Sequence, residues 1–191
     1  EATSFIKFCR SLASTALSLP IVSNNTPSAS TVLSFLGPLG TFTDQALLTQ
    51  KDLSICDLDP LASIPEVLHC VSDGRSDLGF VAIENSIEGS VNITQDTLTF
   101  ETDVLIQREV VISVQMNLLV NSDVTLANIE EVVSFPHATA QCRQWLAKNL
   151  PNAVHRAANS TAEAARHLAE SKALNTATIG SARAAEVYGL N

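Results

Sequence analysis

LGFVAIENSIEGS, from Leu78 to Ser90, joins six residues without a polar side chain to a polar junction that contains glycine. An uninterrupted apolar run bounded by turn residues is typical of a strand buried in a parallel sheet. Glu84 follows the run directly, so we expect it to be half-buried, and a half-buried acid usually has a partner or a function. Ligands of open α/β sheets bind at the carboxyl ends of strands, which makes this junction a first candidate site.

On both sides of this stretch, short apolar runs alternate with helical patterns. Strands are predicted over residues 31–36, 78–83, 110–120, 132–135 and 177–179. Helices are predicted over residues 44–49, with Thr41 or Thr43 as N-cap, and over 91–99, 138–149 and 181–188. Capping boxes at Ser63-Ile64-Pro65-Glu66 and Ser160-Thr161-Ala162-Glu163 open two more helices. The alternation predicts an α/β fold with largely parallel sheets.

Composition and charge exclude several classes of protein. The chain has 191 residues and a formal net charge of −9, which opposes binding to a phosphate backbone and disfavours nucleic acid as a partner. No run approaches the roughly 18 apolar residues of a membrane span. The cysteines (Cys9, Cys56, Cys70 and Cys142) form no C-x-x-C pair, and the histidines are scattered. We therefore expect reduced thiols in a cytoplasmic protein and no metal site.

Residues 1–30 differ from the rest of the chain. Ten of them are Ser or Thr, and Glu1 is their one acidic residue. We expect a disordered or non-native leader here, with a targeting segment or an integral part of the fold as the alternatives.

Four predicted strand–helix junctions carry hydroxyls, carboxamides and glycines: residues 37–43, 84–90, 134–141 and 160–162. Neutral donors and helix starts of this kind suit a small carboxylate, although Ser, Thr and Asn are also ordinary N-caps. Asn85 and Gln141 could donate to a developing negative charge or to a leaving hydroxyl. No Ser-His-Asp or Cys-His pattern favours acyl transfer, and the Gly37–Gly40 spacing is neither a P-loop nor a dinucleotide fingerprint.

These junctions resemble the motifs of prephenate dehydratases over residues 31–191. GPLGTFT at 37–43 and AIENSIEGSV at 82–91 resemble the two N-terminal signatures of that family, and SFPHATAQC at 134–142 resembles its S-H-P-x-x-x-x-Q-C segment. Ser160-Thr161-Ala162 and IGSARAAEVYGL at 179–190 match its later blocks. The family's His is Phe135 here, and His137 follows two places later.

The resemblance implies a fold like that of the type II periplasmic binding proteins. Two α/β lobes, residues 31–108 and 109–191, would enclose a ligand cleft. It also implies a reaction without cofactor, in which prephenate loses water and carbon dioxide to give phenylpyruvate on the route to phenylalanine. Further implications are a cytoplasmic location, a homodimer when the protein is full length, and prephenate as the small-molecule partner, with neither nucleic acid nor membrane.

The motif match also implies site residues. Asn85 and Gln141 would contact the reacting ring or its hydroxyl, and Glu84 and Ser134 would orient them. The carboxylate and side-chain pockets would be lined by Thr41, Phe42, Ser86, Ser160, Thr161 and Ala162.

The family continues to a T-R-F motif, whose segment closes the first lobe, and often to a regulatory ACT domain. The chain stops at Asn191, before both. We therefore expect a truncated catalytic domain, with little activity and a first lobe that lacks its closing strand. The alternatives are a non-catalytic small-molecule-binding module of the same two-lobed fold, an arogenate dehydratase and an inert structural domain.

Overall fold

The computed structural model describes residues 2–11, as backbone only, together with residues 26–87 and 89–191. These residues form two compact units. The first contains residues 2–11, 26–37 and 46–113 without residue 88, and the second contains residues 38–45 and 114–191. None of the helices in the described ranges has the length and apolar character needed to cross a bilayer.

Strands and helices alternate along both units. The strands are β1 (Ala2–Ser11), β2 (Val32–Leu36), β3 (Asp57–Leu61), β4 (Leu78–Asn85), β5 (Gly89–Ser90), β6 (Val104–Val114), β7 (Asn117–Val120), β8 (Glu131–Ser134), β9 (Val154–Ala157) and β10 (Thr176–Gly180). The helices are α1 (Phe42–Leu48), α2 (Ile64–Ser72), α3 (Asn92–Asp96), α4 (Pro136–Gln141), α5 (Arg143–Asn149), α6 (Thr161–Ser171) and α7 (Ala182–Tyr188). A π-helical turn (Thr97–Glu101) follows α3, and a 3-10 turn (Leu126–Asn128) precedes β8.

The first unit is built on a sheet with strand order β3-β2-β4-β1-β6, to which β5 adds beside β4. β2 runs parallel to both β3 and β4. Its residues Leu33 and Phe35 are fully buried, as is Phe80 on β4, which explains why β2 and β4 read as continuous apolar runs. β3 lies at the sheet edge and contains acidic residues and Pro60. Such a composition suits an edge strand but gives no apolar signal in the sequence.

Residues 2–11, which fall within the expected leader, form a strand. β1 pairs antiparallel with β4, from Ser4 opposite Asn85 to Cys9 opposite Gly79, and its other neighbour is β6. The backbone N–H and C=O groups along one side of β4 thereby gain hydrogen-bond partners, a favourable outcome for a strand with an open edge. Residues 12–25 of the expected leader lie outside the described residues.

The second unit is built on a sheet with strand order β7-β10-β8-β9. β8 is parallel to β9 and β10, and β7 is antiparallel to β10. α4, α6 and α7 follow β8, β9 and β10 in the chain, so all three helices start at the carboxyl edge of this sheet. The predicted fold class, a two-lobed α/β chain with mostly parallel sheets, is confirmed.

Two predicted elements are each divided into two in the structure. The strand expected over 110–120 is two strands, β6 and β7, and the helix expected over 138–149 is two helices, α4 and α5. α4 ends at Gln141, because the backbone angles of the next residue, Cys142 (φ −92°, ψ 2°), leave the helical region. β9 was not predicted because all its residues are exposed. The proposed lobe boundary at residue 108 falls inside β6, and residues 38–45 belong to the second unit, not to the first lobe.

Candidate functional site

The junction after β4 is a tight hairpin. Glu84 pairs with Ser90 and Asn85 pairs with Gly89 as the chain turns from β4 into β5. Gly89 has a φ of +82°, a conformation that side chains disfavour and glycine adopts readily. The Oδ1 atom of Asn85 accepts a hydrogen bond from the backbone N–H of Ile87 at 2.9 Å. This Asx turn gives the Asn85 carboxamide a defined orientation.

Glu84 lies at the end of β4, where the strand leaves the core. Its side chain is exposed, not half-buried as expected from the apolar run before it. Ser86 is exposed as well. The preceding part of β4 is tied to α3, because Thr94 Oγ1 donates to the Ala82 carbonyl at 2.6 Å. The hairpin therefore projects three polar side chains from a firmly anchored strand.

Thr41 and Phe42 lie in the loop of residues 38–45, which we call the 38–45 loop. The backbone N–H of Asp44 donates to Thr41 Oγ1 at 3.0 Å, so of the two N-caps that the sequence allowed, Thr41 and Thr43, the structure has Thr41. In return, the Gly40 N–H donates to Asp44 Oδ2 at 2.8 Å. Phe42 is half-buried and begins α1. These reciprocal bonds close the loop on itself around Thr41.

α7 contacts this loop through residues to which sequence reasoning gave no role. Ser181 Oγ donates to the Gly40 carbonyl at 2.6 Å, and Tyr188 OH donates to the Leu39 carbonyl at 2.7 Å. Arg183 Nε donates to the buried Asp44 carboxylate at 3.2 Å. About 140 residues separate the partners of these contacts. The sequence feature that pointed to them was that both segments, residues 37–43 and 179–190, match motifs of one family.

Arg183 stays charged in this position. Burial alone would lower the pKa of its guanidinium, but hydrogen bonds to Glu186 and Asp44 outweigh burial and raise that pKa. The Asp44 side chain is 1% exposed. A buried carboxylate of this kind is favourable only with a charged partner, which Arg183 supplies.

Ser134 is fully buried at the end of β8. Its hydroxyl donates to the carbonyl of Ile179 on β10 at 3.0 Å, and its own carbonyl accepts from the Ala158 N–H at 2.9 Å. Ser134 therefore ties β8 to the ends of both neighbouring strands. The next residues, Phe135 and His137, stack their rings with centroids 5.1 Å apart.

Gln141 ends α4 and is half-buried beside a cavity of about 480 Å³. Asn117 lines the same cavity and lies opposite Gly180 on β10, which places it at the carboxyl edge of the sheet. The rest of the lining is mostly apolar: Met116, Leu118, Cys142, Trp145, Leu146 and Ile179. A mostly apolar cavity with a few polar side chains is the usual lining of a small-molecule site, in which the polar groups orient the ligand.

Cys142 adjoins Gln141, and its chemistry bears on what this region can do. Burial raises the pKa of the Cys142 thiol, so the thiol is protonated near neutral pH and is a poor nucleophile.

Within residues 26–87 and 89–191, no group of three His, Cys, Asp or Glu side chains is placed to hold a metal ion.

Ser160 begins α6 as the sequence predicted, because its Oγ accepts from the Glu163 N–H at 3.0 Å. Thr161 is half-buried, but Ala162 is fully buried. The Ala162 side chain is therefore part of the core, so Ala162 could offer a ligand only its backbone. α6 has 11 residues and carries the partial positive charge of a helix N-terminus at this edge.

The structure divides the predicted site residues between the units. Glu84, Asn85 and Ser86 belong to the first, where they share one hairpin. The others belong to the second and are grouped by the carboxyl edge of its sheet and by the 38–45 loop: Thr41, Phe42, Ser134, Gln141, Ser160, Thr161 and Ala162.

Comparison with known proteins identifies the family. The sequence model described as Prephenate dehydratase matches residues 33–191. The chain belongs to the prephenate dehydratase family. Over 169 residues it is 37% identical to the prephenate dehydratase of Mycolicibacterium gilvum, a match that covers 83% of this chain and 54% of that protein. The crystal structure of the Arthrobacter aurescens prephenate dehydratase in complex with L-Phe superposes with a TM-score of 0.77 at 35% identity, over 84% of this chain and 53% of that one.

The chain spans about half the length of the prephenate dehydratases it matches. A structure described as GqqA, a quorum quenching acylase, is also similar, with a TM-score of 0.68 and 25% identity over 84% of this chain and 57% of that one. Membership in the fold therefore does not determine the reaction by itself, and the site residues must carry that argument.

Proposed function

We propose that this chain is part of a prephenate dehydratase, which converts prephenate to phenylpyruvate, carbon dioxide and water. The observation that carries the proposal is the Glu84-Asn85-Ser86 hairpin at the end of β4, inside the region that the family model matches. In the reaction, the bond from the ring to its carboxylate breaks, and its electron pair enters the ring. The ring hydroxyl gains a proton and leaves as water, so atoms and charge balance without an oxidant or reductant.

The work left to the protein is to position the substrate and assist the departure of the hydroxyl, since aromatisation drives the reaction. Asn85 and Gln141 are the proposed contacts to the reacting ring or its hydroxyl. Because the Asn85 oxygen already accepts from Ile87, Asn85 would act toward the substrate as a donor. Glu84 and Ser134 are the proposed orienting residues. For Ser134 the bond to Ile179 supports a role through the strand ends.

The net charge of −9 opposes a dicarboxylate substrate at long range. Binding must therefore rest on local donors, and the proposed lining residues supply hydroxyls and backbone N–H groups. They are Thr41, Phe42, Ser86, Ser160, Thr161 and Ala162. The start of α6 adds the partial charge of a helix N-terminus beside Ser160.

A small-molecule ligand is consistent with the relative from Arthrobacter aurescens, which was solved with L-Phe bound. We also propose a cytoplasmic location, supported by the unpaired thiols of Cys56, Cys70 and Cys142, which suit a reducing compartment. A homodimer of the full-length protein is proposed from the family resemblance alone, and light scattering on the purified protein would test it.

The test of function is phenylpyruvate formation from prephenate by the full-length protein that contains this chain, with arogenate as the competing substrate. Asn85→Ala and Gln141→Ala should each lower turnover at least about tenfold. Matched controls are Asn92→Ala and Gln95→Ala, which remove the same side chains from exposed positions of α3. Faster turnover of arogenate would move the assignment to an arogenate dehydratase. Binding of prephenate without turnover would favour a non-catalytic module. The absence of both binding and turnover would refute the proposal.

A further inference from the structure

The 38–45 loop carries two proposed substrate contacts, Thr41 and Phe42, and the peptide groups just before them are held from α7. The Leu39 carbonyl accepts from Tyr188 OH at 2.7 Å, and the Gly40 carbonyl accepts from Ser181 Oγ at 2.6 Å. Successive carbonyls fixed in this way define the path of the backbone into Thr41. Both donors come from the last elements of the chain, not from β2 or α1.

Ser181 performs two tasks with one hydroxyl. Its Oγ also accepts from the Ala184 N–H at 2.9 Å, so it caps the start of α7 while it donates to Gly40. Ser181 is fully buried, which makes an unmet bond at this position costly. The start of α7 and the 38–45 loop are thus joined through one atom.

An ion pair joins the same two segments. Asp44 Oδ2 accepts both from the Gly40 N–H at 2.8 Å and from Arg183 Nε at 3.2 Å. The Arg183 backbone N–H donates to Gln45 Oε1 at 3.4 Å. The loop is therefore held on both sides of Thr41, by carbonyl contacts before it and by the Asp44 carboxylate after it.

The approach of the two segments is too close for a side chain at residue 40. A Cβ on Gly40 would lie 3.0 Å from Ala184 Cα and 3.1 Å from Tyr188 Cε2. Gly40 also has a φ of +88°. Close backbone approach with left-handed geometry is a reason for glycine in this loop.

We propose that Ser181, Arg183 and Tyr188 are positioning residues, which set the placement of Thr41 and Phe42 for the substrate. This inference rests on the function proposed above for those two residues. The geometry of the 38–45 loop is then a property of α7, and loosening the α7 contacts should weaken substrate binding before it affects the chemical step.

The physical part of the proposal is tested by amide hydrogen exchange on Tyr188→Phe and Arg183→Met. Each change removes a loop contact, so exchange at Gly40, Asp44 and Gln45 should be faster, by about fivefold in Tyr188→Phe, the effect of one neutral hydrogen bond. The increase should be larger in Arg183→Met, which leaves the buried Asp44 carboxylate without its charged partner. The matched control is Asn121→Ala, because the Asn121 amide donates to two carbonyls elsewhere in the same unit, those of Leu168 and Ala173. Unchanged exchange in the loop of both variants would overturn the proposal.

The functional part is tested by the split between KM and kcat for prephenate. Tyr188→Phe and Arg183→Met should raise KM at least about threefold with little change in kcat, because uniform binding is lost. Ser181→Thr keeps a hydroxyl, so it should raise KM less than Ser181→Ala does. If Asn121→Ala raised KM equally, general destabilisation would explain the effect, and the positioning role of Ser181, Arg183 and Tyr188 would be refuted. If prephenate neither binds nor reacts, the proposed function fails, while faster loop exchange would still support α7 as the anchor.

Discussion

Gly40→Ala should carry two separate costs, one from the backbone conformation and one from close packing. A non-glycine residue in the left-handed region costs about 1–2 kcal/mol, and Gly40 has a φ of +88°. The new Cβ would lie 3.0 Å from Ala184 Cα. The backbone of a packed helix cannot move cheaply, so overpacking should add about 1–3 kcal/mol. We therefore expect the free energy of unfolding to fall by about 2–5 kcal/mol.

The matched control is Gly189→Ala. Gly189 lies in the same unit with a φ of +66°, but a Cβ there would meet nothing within 4 Å. This variant should show the backbone cost alone, about 1–2 kcal/mol. The assay is urea unfolding followed by the fluorescence of Trp145, the single tryptophan of the chain, which lies in this unit. If Gly40→Ala were no more destabilising than Gly189→Ala, the close approach of α7 to the loop would be wrong.

Three further predictions concern caps, a buried hydroxyl and an ion pair. Ser160→Ala should lower the free energy of unfolding by about 1 kcal/mol, and Ser160→Asp, which keeps an acceptor, should not; urea unfolding measures both. Ser134→Ala should lower the free energy of unfolding by about 1–3 kcal/mol in the same assay, because the buried Ile179 carbonyl loses its donor. Unchanged stability would contradict this prediction. The hydrogen bond from Arg108 lowers the pKa of Asp52. Ionised Asp52 therefore adds to the free energy of unfolding above the pKa of an unfolded Asp, about 3.9, and this stabilisation is lost as the pH falls through the lower pKa of the folded state. Urea unfolding at pH values from 7 to 2 measures this effect. The wild type should be more stable than Asp52→Asn at pH 7, and the difference in free energy of unfolding should disappear near pH 2.

The sequence predicted those elements whose signal is local. β4 is buried across its sheet and reads as an apolar run, so its position was found within two residues. Ser63 and Ser160 cap α2 and α6 through bonds to residues three positions later. Such a bond needs only the right residues at short spacing, which the capping-box pattern detects.

Elements without that signal were missed or divided. β3 and β9 lie at sheet edges, where the strand has little apolar surface to bury and its residues show no alternation. The expected burial of Glu84 was wrong because the apolar run ends where β4 leaves the core. The contacts of Ser181 and Tyr188 with the 38–45 loop join residues 141 and 149 positions apart. No short-range pattern encodes a pairing of that separation.

The motif blocks form fewer groups in the structure than they do along the chain. The 37–43 and 179–190 blocks are one hydrogen-bonded cluster, held by Ser181 and Arg183. The 82–91 block forms a hairpin in which the Asn85 oxygen accepts from the Ile87 N–H within its own turn. Loosening the Ser181 and Tyr188 bonds should change the placement of Thr41 first, because their acceptors are the carbonyls directly before it. Variants of Ser181 and Tyr188 therefore test the proposed contacts to the carboxylates of the substrate, and Asn85→Ala tests the proposed contact to its reacting ring.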